Sequence, residues 1–341
     1  MASSRHTVTV VGGTGRLGFD ITKIFLDEFH TTFPAVRVLT RDHSTAKAQD
    51  LAARGALLYT FDPENIAQSL GDAFAGADVV INALPTSMPK DAKRQVAAAA
   101  VKSGVKVFFL SEFGVDHSRN DFPGYDHHEW DVKRQLASEA RELARGTPTQ
   151  VIALYTGLFL ELALNPFMGF DVENNAYTCI GPPSQKVTFT SKGDIGRAVA
   201  RLSTLALEPL TAAKVPDELR IAGAVVSYED VRDLVSRAKG VPKGEIKSED
   251  LTQLKDTLRK TPGSHIVNYI RVLMGEGKLD FSDGNANSLV DPAEAFWKWK
   301  SVEDLLLVTY RELLYGGKAR VLPYNELAVI VERPDEAALR S

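Results

Sequence analysis

The first half of the chain alternates short apolar runs with segments of helical periodicity. Five runs are predominantly apolar and of strand length: HTVTVV (6–11), AVRVLTR (35–41), ALLYTFD (56–62), ADVVINALP (77–85) and VKVFFLSEFG (105–114). A sixth, TQVIALYTGLFLELAL, begins at residue 149. Continuous apolar strands that alternate with helices are typical of a parallel sheet with both faces covered. The pattern therefore predicts an α/β fold with a Rossmann-type doubly wound parallel sheet.

The turn after the first run is rich in glycine and leads directly into a helical segment. Its four glycines satisfy both GxGxxG and GxxGxxG. Glycine permits a turn with positive φ and lets the backbone approach a pyrophosphate, which then lies at the amino terminus of the helix. We therefore expect the whole turn to contact a dinucleotide: Gly12, Gly13, Thr14, Gly15, Arg16, Leu17 and Gly18. The alternative is a purely structural turn.

The end of the second strand bears on the choice of cofactor. Arg41 lies about 20 residues beyond the glycines, where an NAD-specific protein usually carries an acidic residue for the ribose 2′-hydroxyl. A guanidinium suits a 2′-phosphate instead, because it can bind phosphate in a bidentate fork. Lys47 adds positive charge, and Asp62 is the expected contact for the adenine edge. These residues predict NADPH as the cofactor. The alternative is that residues 41–43 (RDH) form a solvent-exposed turn that does not contact a cofactor.

The loops after the fourth and fifth strands should meet the glycine turn in one crevice. In parallel sheets of this kind, ligands bind beyond the carboxyl ends of the strands. We therefore expect these two loops to contribute a second group of cofactor contacts: Asn82, Ala83, Leu84, Ser111, Glu112 and Phe113.

Four features carry a resemblance to a known family: VVGGTGRLG, the basic residue ending the second strand, SEFGVD after the fifth strand, and the lysine of EWDVKRQL. Over residues 8–159 the chain resembles the NmrA-like / isoflavone reductase-like family of atypical short-chain dehydrogenase/reductases. That family includes isoflavone, pinoresinol-lariciresinol and phenylcoumaran benzylic ether reductases, alongside redox-sensing regulators of the NmrA type. The rest of the chain resembles it only loosely.

The resemblance implies a site built around one lysine. Lys133 would lie near the nicotinamide as an acid/base or substrate-orienting group. Glu129 would be tolerated where ordinary short-chain enzymes carry a tyrosine. The resemblance also places the exit of the sixth strand beside the nicotinamide, with cofactor contacts from Tyr155, Gly157 and Phe159. Packing in the core is the alternative for Phe159.

The helix that carries Lys133 leaves other interpretations open. Glu129 precedes the lysine by one helical turn, so the two residues could form an ordinary surface pair. Trp130 stands where the family commonly carries another aromatic residue, and the adjacent His127 and His128 are unusual. We take His128 as a second candidate for proton transfer. The alternative is that it lies at the surface, or that its ring nitrogens are hydrogen-bonded within the protein, as is more common for a lone histidine.

The second half of the chain predicts a smaller, mainly helical substrate lobe. An irregular insertion with a hairpin precedes a helix that Asp194 is expected to open as its N-cap. Three further segments are expected to be helical: VSYEDVRDLVSRAKG, KSEDLTQLKDTLRK and PAEAFWKWKSVEDLLLVTYRELL. The candidates for pocket lining, which sequence does not separate from core residues, are Phe167, Met168, Phe170, Tyr177, Tyr269 and Trp297.

These patterns also predict the domain limits. Residues 1–155 form the NADP-binding domain, and residues 191–206 return to it. The substrate-binding lobe takes residues 156–190 and 207–320, and a carboxyl-terminal tail follows at 321–341.

Composition narrows the partners that the chain can have. Its 341 residues carry a net charge of −4, which gives no electrostatic argument for nucleic acid or for an anionic membrane. No apolar run approaches the ~20 residues needed to span a bilayer, and the start lacks an apolar signal core. The single cysteine, Cys179, excludes an intrachain disulfide framework and a cysteine metal cluster. We expect a cytoplasmic monomer or homodimer with no metal and a small-molecule substrate.

The function predicted from these features is that of an NADPH-dependent reductase. Its substrate would be a small aromatic or polycyclic specialised metabolite with a ketone, enone or benzylic-ether type centre. Two alternatives stay open. One is a non-catalytic NADP-sensing regulator of the NmrA type, against which the SEFG motif and the lysine argue. The other is a redox-neutral isomerase or dehydratase on the same fold.

Overall fold

The computed structural model describes residues 5–120 and 126–314. The predicted tail at 321–341 lies outside the described residues. Within them, the strands are β1 (Thr7–Val11), β2 (Ala35–Thr40), β3 (Leu57–Thr60), β4 (Val79–Asn82), β5 (Val107–Phe109), β6 (Gln150–Tyr155), β7 (Leu158–Phe159), β8 (Phe170–Asp171), β9 (Ala176–Ile180), β10 (Val187–Thr190), β11 (Glu218–Arg220), β12 (Ala224–Val226) and β13 (Ile246–Glu249).

Helices connect most of these strands. The α-helices are α1 (Gly18–Asp27), α2 (Ala46–Ala53), α3 (Ile66–Phe74), α4 (Lys90–Lys102), α5 (His128–Ala144), α6 (Leu160–Ala163), α7 (Lys192–Leu207), α8 (Tyr228–Lys239), α9 (Leu251–Lys260), α10 (Ile266–Gly275), α11 (Asn287–Val290) and α12 (Val302–Leu314). Short 3₁₀ turns lie at His117–Arg119, Pro166–Met168, Ala212–Lys214 and Pro292–Glu294. None of the described helices is long and apolar enough to cross a lipid bilayer.

In the described part of the chain, seven strands form one parallel sheet in the order β11-β6-β5-β4-β1-β2-β3. The strand order reverses between β1 and β4, and the carboxyl ends of these two strands bound the crevice in which doubly wound folds bind ligands. The predicted parallel, doubly wound sheet is confirmed. Strand β11 joins this sheet although its residues fall inside the range predicted for the second lobe.

Apolar side chains of the central strands alternate between the two faces of the sheet. Ile81 and Phe109 pack into a cluster with α1 and α7, whereas Val80 and Phe108 pack into a cluster with α3, α4 and α5. Successive residues of a strand point to opposite faces, so a continuously apolar strand must be covered on both. Helices therefore enclose the sheet, and only its ends are open to a ligand.

Helix α7 packs against α1, although it follows the insertion. A Cβ on Gly196 would lie 2.8 Å from Cγ1 of Ile24, so the two helices approach closely where Gly196 stands. The expectation that Asp194 caps this helix is wrong: Ser191 is the N-cap, and its hydroxyl accepts the backbone N–H of Asp194. Asp194 lies inside the first turn, where its buried carboxylate accepts bonds from Arg197 and from the backbone N–H of Lys300.

The second half of the chain contains small sheets as well as helices. Strands β12, β10 and β7 form one three-stranded sheet, and β13, β9 and β8 form another. The predicted hairpin is the antiparallel pair β8–β9. Two of the predicted helices are shorter than expected, because residues 247–249 belong to β13 and the helix after PAEAFWKWKS begins only at Val302. The tertiary pairing of β13 with β9 overrides the local preference of KSED for helix.

Candidate functional site

The glycine turn is a compact loop between β1 and α1. Gly12 has a φ of +76°, and its carbonyl accepts the N–H of Gly15 at 2.8 Å. A Cβ on Gly18 would lie 2.2 Å from that same carbonyl oxygen, so only glycine lets the helix start this close to the turn. No side chain caps the amino terminus of α1 in the described structure. Its first N–H groups therefore face the crevice in the way that anion sites require.

The loops after β4 and β5 lie directly beside the glycine turn. A Cβ on Gly12 would lie 3.0 Å from the carbonyl oxygen of Ala83. The buried Asn82 accepts the N–H of Leu84 at 3.2 Å, and Ser111 Oγ donates to the carbonyl of Leu84 at 2.8 Å. These contacts bring together the ends of three neighbouring strands. On the other side of the turn, the hydroxyls of Thr14 and Thr40 are 3.0 Å apart.

Arg41 and Lys47 are both exposed beyond the end of β2. The neighbouring Asp42 is held by its own turn, since its carboxylate accepts the hydroxyl of Ser44 at 2.6 Å and the backbone N–H of Ser44 at 2.7 Å. These bonds, the side-chain bond first, hold the pKa of Asp42 below its usual value. The carboxylate of Asp42, directly after Arg41, is thus already bonded within its own turn. Lys47 Nζ lies 5.3 Å from the ring centroid of Phe19.

Asp62 follows β3, and its carboxylate is used within the next turn. It accepts the side-chain amide of Asn65 and the backbone N–H of Glu64, each at 2.9 Å. The bond from Asn65, followed by that from Glu64, lowers the pKa of Asp62. Any contact of Asp62 with an adenine would therefore have to share oxygens already bonded to its own loop.

Lys133 reaches from α5 to the end of β5. Its ammonium donates to the backbone carbonyl of Ser111 at 2.6 Å and to Oε2 of Glu112 at 3.2 Å. The alternative interpretation, a surface pair with Glu129, is therefore not the arrangement found in the described part of the chain. An ammonium has three N–H donors, so two are held by the loop after β5 and one remains for a ligand.

Glu112 is the buried centre of this group, with only 5% of its side chain exposed. Its Oε2 accepts both Lys133 Nζ and, at 2.9 Å, Nε2 of His117. Burial is the largest influence on this carboxyl and opposes its ionisation. Lys133 and His117 together outweigh burial and hold the pKa of Glu112 below its usual value. Glu112 is thus an anion kept charged by two cationic or N–H partners.

The structure brings two more residues to this cleft that sequence reasoning missed, Lys93 and Thr86. Lys93 Nζ donates to the carbonyl of Thr86 at 2.5 Å. Burial, and then the nearby charge of Lys133, lower the pKa of Lys93. The KRQ segment at 93–95 looks like the solvated face of a helix, and only the packing of α4 against α5 points Lys93 inward. The missed His117 carried a signal, since it is a histidine five residues beyond Glu112 in the same motif.

A small cleft with a volume of about 30 Å³ lies at this point, and its lining surface is mostly apolar. The lining residues are Asn82, Thr86, Lys93, Ala97, Phe108, Leu110, Ser111, Glu112, Lys133, Leu136 and Ala137. The arrangement places the ammonium of Lys133 beside a mostly apolar surface, where it can donate to an oxygen of a ligand.

The exit of the sixth strand closes another side of the same edge. Gly157 has a φ of +67°, and a Cβ there would lie 2.5 Å from the carbonyl oxygen of Thr188. The N–H groups of Thr156 and Gly157 both donate to the carbonyl of Gly114. Tyr155 is buried, and burial followed by the charge of Glu112 raises its pKa. Phe159 is half-buried against the apolar cluster on the α1 face.

The predicted His128 lies apart from the described lining of the cleft. It is exposed at the start of α5, with its ring centroid 4.4 Å from that of His127. His127 is the N-cap of this helix, because its Nδ1 accepts the N–H of Glu129. Burial, and then His128, lower the pKa of His127, which therefore stays neutral and keeps the cap. Ligand atoms of His127, His128 and Glu129 lie within 4.8 Å of one another, and capping accounts for this grouping.

The aromatic candidates for pocket lining divide into core and surface residues. Phe170, Tyr177 and Tyr269 are buried in the main apolar cluster. Phe167 is exposed. Phe113, predicted to contact the cofactor, is buried in the cluster on the α1 face.

Comparison with known proteins identifies one matching family and two similar proteins. The NmrA-like family model matches residues 4–274. Probable pinoresinol-lariciresinol reductase 3 of Arabidopsis thaliana is 27% identical over 191 residues, which is 56% of this chain and 58% of that protein. An NmrA-like family domain-containing oxidoreductase of Gibberella moniliformis is 26% identical over 290 residues, 82% of this chain and 91% of that protein. The match thus spans less than two thirds of the Arabidopsis relative.

Solved structures share the fold. An isoflavone reductase gives a TM-score of 0.70 at 19% identity, with 89% of this chain and 99% of the other covered. Leucoanthocyanidin reductase from Vitis vinifera, solved as a binary complex with NADPH, gives 0.67 at 17% identity, with 89% and 99% covered. NmrA, a negative transcriptional regulator, gives 0.66 at 17% identity, with 90% and 96% covered. At these identities the likeness is one of fold.

Proposed function

The chain belongs to the NmrA-like family, and from that premise we propose that it is an NADPH-dependent reductase. Its substrate is a small aromatic or polycyclic molecule, and Lys133 is the proton-handling residue. The observation that carries the proposal is the ammonium of Lys133, held beside a mostly apolar cleft by Ser111 and Glu112. That cleft opens at the carboxyl edge of the sheet, where this fold binds its ligands.

The residues at the glycine turn fit a dinucleotide. The turn approaches so closely at Gly12 and Gly18 that side chains are excluded, and the start of α1 is uncapped. Both features favour a pyrophosphate at the helix amino terminus. Arg41 is exposed at the end of β2, and its acidic neighbour Asp42 is bonded to Ser44. A guanidinium in that position favours the 2′-phosphate of NADPH.

Lys133 acts on the oxygen of the substrate. Bound NADPH supplies a hydride from C4 of its nicotinamide ring. In a ketone or enone that accepted this hydride, the π electron pair would move onto the carbonyl oxygen. In a benzylic ether, the C–O bond would break and its electron pair would leave with the ether oxygen. Lys133 offers its third N–H to this oxygen and donates the proton, while Ser111 and Glu112 keep the ammonium in place. The Arabidopsis relative is named a reductase and the Gibberella relative an oxidoreductase, and both names support an oxidoreductase of this kind.

The test is turnover of aromatic ketones, enones and benzylic ethers with NADPH. Lys133→Ala should leave NADPH binding nearly intact and cut turnover by ~10²–10⁴-fold, the range for loss of a general acid or base. Glu129→Gln is the matched control on the same helix. It should change the rate less than about threefold, because Lys133 is bonded to Ser111 and Glu112 and not to Glu129.

Each contrary outcome has a definite meaning. Equal, mild effects of both substitutions would show that Lys133 is a structural residue. If His128→Ala is as damaging as Lys133→Ala, proton transfer runs through a residue particular to this chain. No turnover of any of the three substrate classes, with NADPH still bound, would favour an NADP-sensing regulator.

A further inference from the structure

The carboxylate of Glu112 serves two donors at once through a single oxygen. Oε2 lies 3.2 Å from Lys133 Nζ and 2.9 Å from His117 Nε2. Glu112 follows Ser111, whose carbonyl takes the second N–H of the same ammonium at 2.6 Å. Two consecutive residues of the SEFG motif thus fix two of the three N–H directions of Lys133. The third direction is then determined by tetrahedral geometry and not by the rotamers of a flexible side chain.

His117 is in turn held firmly by its surroundings. It begins the 3₁₀ turn capped by Asp116, and the carboxylate of Asp116 is fixed by Arg220 Nε at 2.6 Å. The ring of His117 stacks on Trp130 at 6.5 Å between centroids and meets Tyr155 edge-on at 6.0 Å. Its position therefore does not depend on its bond to Glu112.

The two ring nitrogens of His117 indicate why an imidazole occupies this position. Its Nε2 donates to Glu112, whereas its buried Nδ1 has no hydrogen-bond partner among the described residues. An unsatisfied buried nitrogen costs stability, and an apolar ring would pack against Trp130 without that cost. The bond to Glu112 is thus what an imidazole provides here that a phenyl ring would not.

We propose that Glu112 and His117 are positioning residues for Lys133. His117 fixes the Glu112 carboxylate, and that carboxylate fixes the orientation of the ammonium that faces the cleft. The proposal rests on the proposed function, in which Lys133 handles the proton. It adds that the acidic and imidazole groups contribute to the reaction through the lysine.

The first experiment measures Lys133 directly and needs no substrate. The protein is acetylated briefly with acetic anhydride, and mass spectrometry compares the rate at Lys133 with that at Lys106, which pairs with Asp78 elsewhere on the surface. A nearby carboxylate favours the protonated, unreactive amine. In Glu112→Gln the ratio should therefore rise roughly 3- to 10-fold, the effect expected for losing one partly exposed charged hydrogen bond.

A matched control separates positioning from general damage. Asp194 is a buried carboxylate paired with Arg197 on the other face of the sheet, and Asp194→Asn removes a comparable charge. It should leave the Lys133 to Lys106 ratio within about twofold of wild type, since such charged pairs act locally. A ratio that rises equally in Asp194→Asn and Glu112→Gln would overturn the proposal, because general loosening would then explain both.

The second experiment measures turnover. Glu112→Gln and His117→Phe should lower kcat roughly 10- to 100-fold, the range for removing partners that orient a functional group, with NADPH affinity unchanged. His117→Gln keeps an N–H donor and should recover part of the loss. If kcat falls while the labelling ratio stays at the wild-type value, Glu112 does not act through Lys133 and the proposal is wrong. A raised ratio with no wild-type turnover would instead refute the proposed function and leave the positioning role standing.

Discussion

The substitution Lys133→Met removes an ammonium and keeps most of the aliphatic stem, so it isolates what the charge contributes to the buried Glu112. In the wild type the pKa of Glu112 is lowered, because Lys133 and His117 outweigh burial. A carboxyl with a lowered pKa stabilises the fold fully above its unfolded value, ~4.3. That contribution is lost as the pH falls through the lower folded value. Without Lys133, burial is opposed only by His117, and the advantage of the charged form at neutral pH should disappear.

The size of the effect follows from burial and from the remaining partner. Removing one member of a fully buried ion pair costs ~3–5 kcal/mol. The side chain of Lys133 is 22% exposed, and His117 continues to donate to Glu112. Both facts reduce the expected cost. We expect Lys133→Met to lower the free energy of unfolding by ~1–3 kcal/mol at neutral pH, the range for a buried charged group that loses a hydrogen bond.

The assay is urea unfolding of wild type and variant at neutral pH and at ~pH 4, near the ordinary range of a glutamate. The difference between wild type and variant should shrink as the pH falls. Without the ammonium that lowers its pKa, Glu112 of the variant is protonated first and is then no longer an unpaired buried charge. Lys106→Met is the control, since Lys106 is 56% exposed and pairs with Asp78 at the surface. It should cost at most about 1 kcal/mol. A cost for Lys133→Met that is the same at both pH values, or no larger than that of Lys106→Met, would refute the reasoning.

Two further predictions concern the cofactor. Arg41→Ala should weaken NADPH binding by ~1.5–3 kcal/mol, the value of a charged hydrogen bond, with NADH nearly unaffected; calorimetry showing equal wild-type affinities for the two would contradict it. Gly15→Ala places a Cβ 2.9 Å from the carbonyl oxygen of Gly12, within the turn that a pyrophosphate must approach, and should abolish NADPH binding while lowering the melting temperature without unfolding the protein. Gly71→Ala in α3, where a Cβ meets nothing within 4 Å, is the control. It should leave binding intact and stabilise by ~0.5–1 kcal/mol, and retained NADPH binding by Gly15→Ala would mean that the turn is only structural.

The sheet was predictable because its information is local. Each central strand is a continuous apolar run, and each helix that covers the sheet shows its own period, so the order of elements follows without any knowledge of contacts. The glycine turn was equally readable, since Gly12 and Gly18 are required by the backbone around them. The family followed from the same local motifs, and the match over residues 4–274 confirms it. The small sheets were harder, because strands such as Phe170–Asp171 are too short to carry a pattern.

The wrong N-cap predicted for α7 could have been avoided, because the sequence contains the information that identifies the correct one. Ser191 and Asp194 are both favoured N-cap residues, and their spacing in SKGD is close to that of a capping box, in which the earlier residue is the cap. Ser191 does cap the helix. Asp194 was then free to be buried, where it joins α7 to the backbone of Lys300.

The site around Lys133 was only half predictable, and the reason is the competition between local and tertiary partners. Glu129 is the partner that helix geometry offers, one turn before the lysine. Glu112 is 21 residues away in sequence and becomes available only when α5 packs against β5. Because Glu112 is buried, its attraction for an ammonium is screened by water far less than that of the half-exposed Glu129. Lys133 therefore bonds to Glu112 and not to Glu129. The residue spacing within EWDVKRQL cannot reveal a partner that lies outside this segment.

Stability alone does not explain why three ionisable side chains, those of Lys133, Glu112 and His117, lie together at the end of β5. A buried ion pair is often no more stabilising than well-packed apolar side chains of similar volume, and the walls of the cleft already supply apolar neighbours such as Phe108 and Leu136. Groups whose pKa values are shifted by burial and by specific partners cluster at functional sites. Here Glu112 and Lys93, whose pKa values are both lowered, stand at the carboxyl edge of the sheet. Beside them, one N–H of Lys133 meets no acceptor among the described residues. The third N–H of this ammonium can donate a hydrogen bond to an acceptor from outside the protein. In a reductase, that acceptor would be an oxygen of the bound substrate.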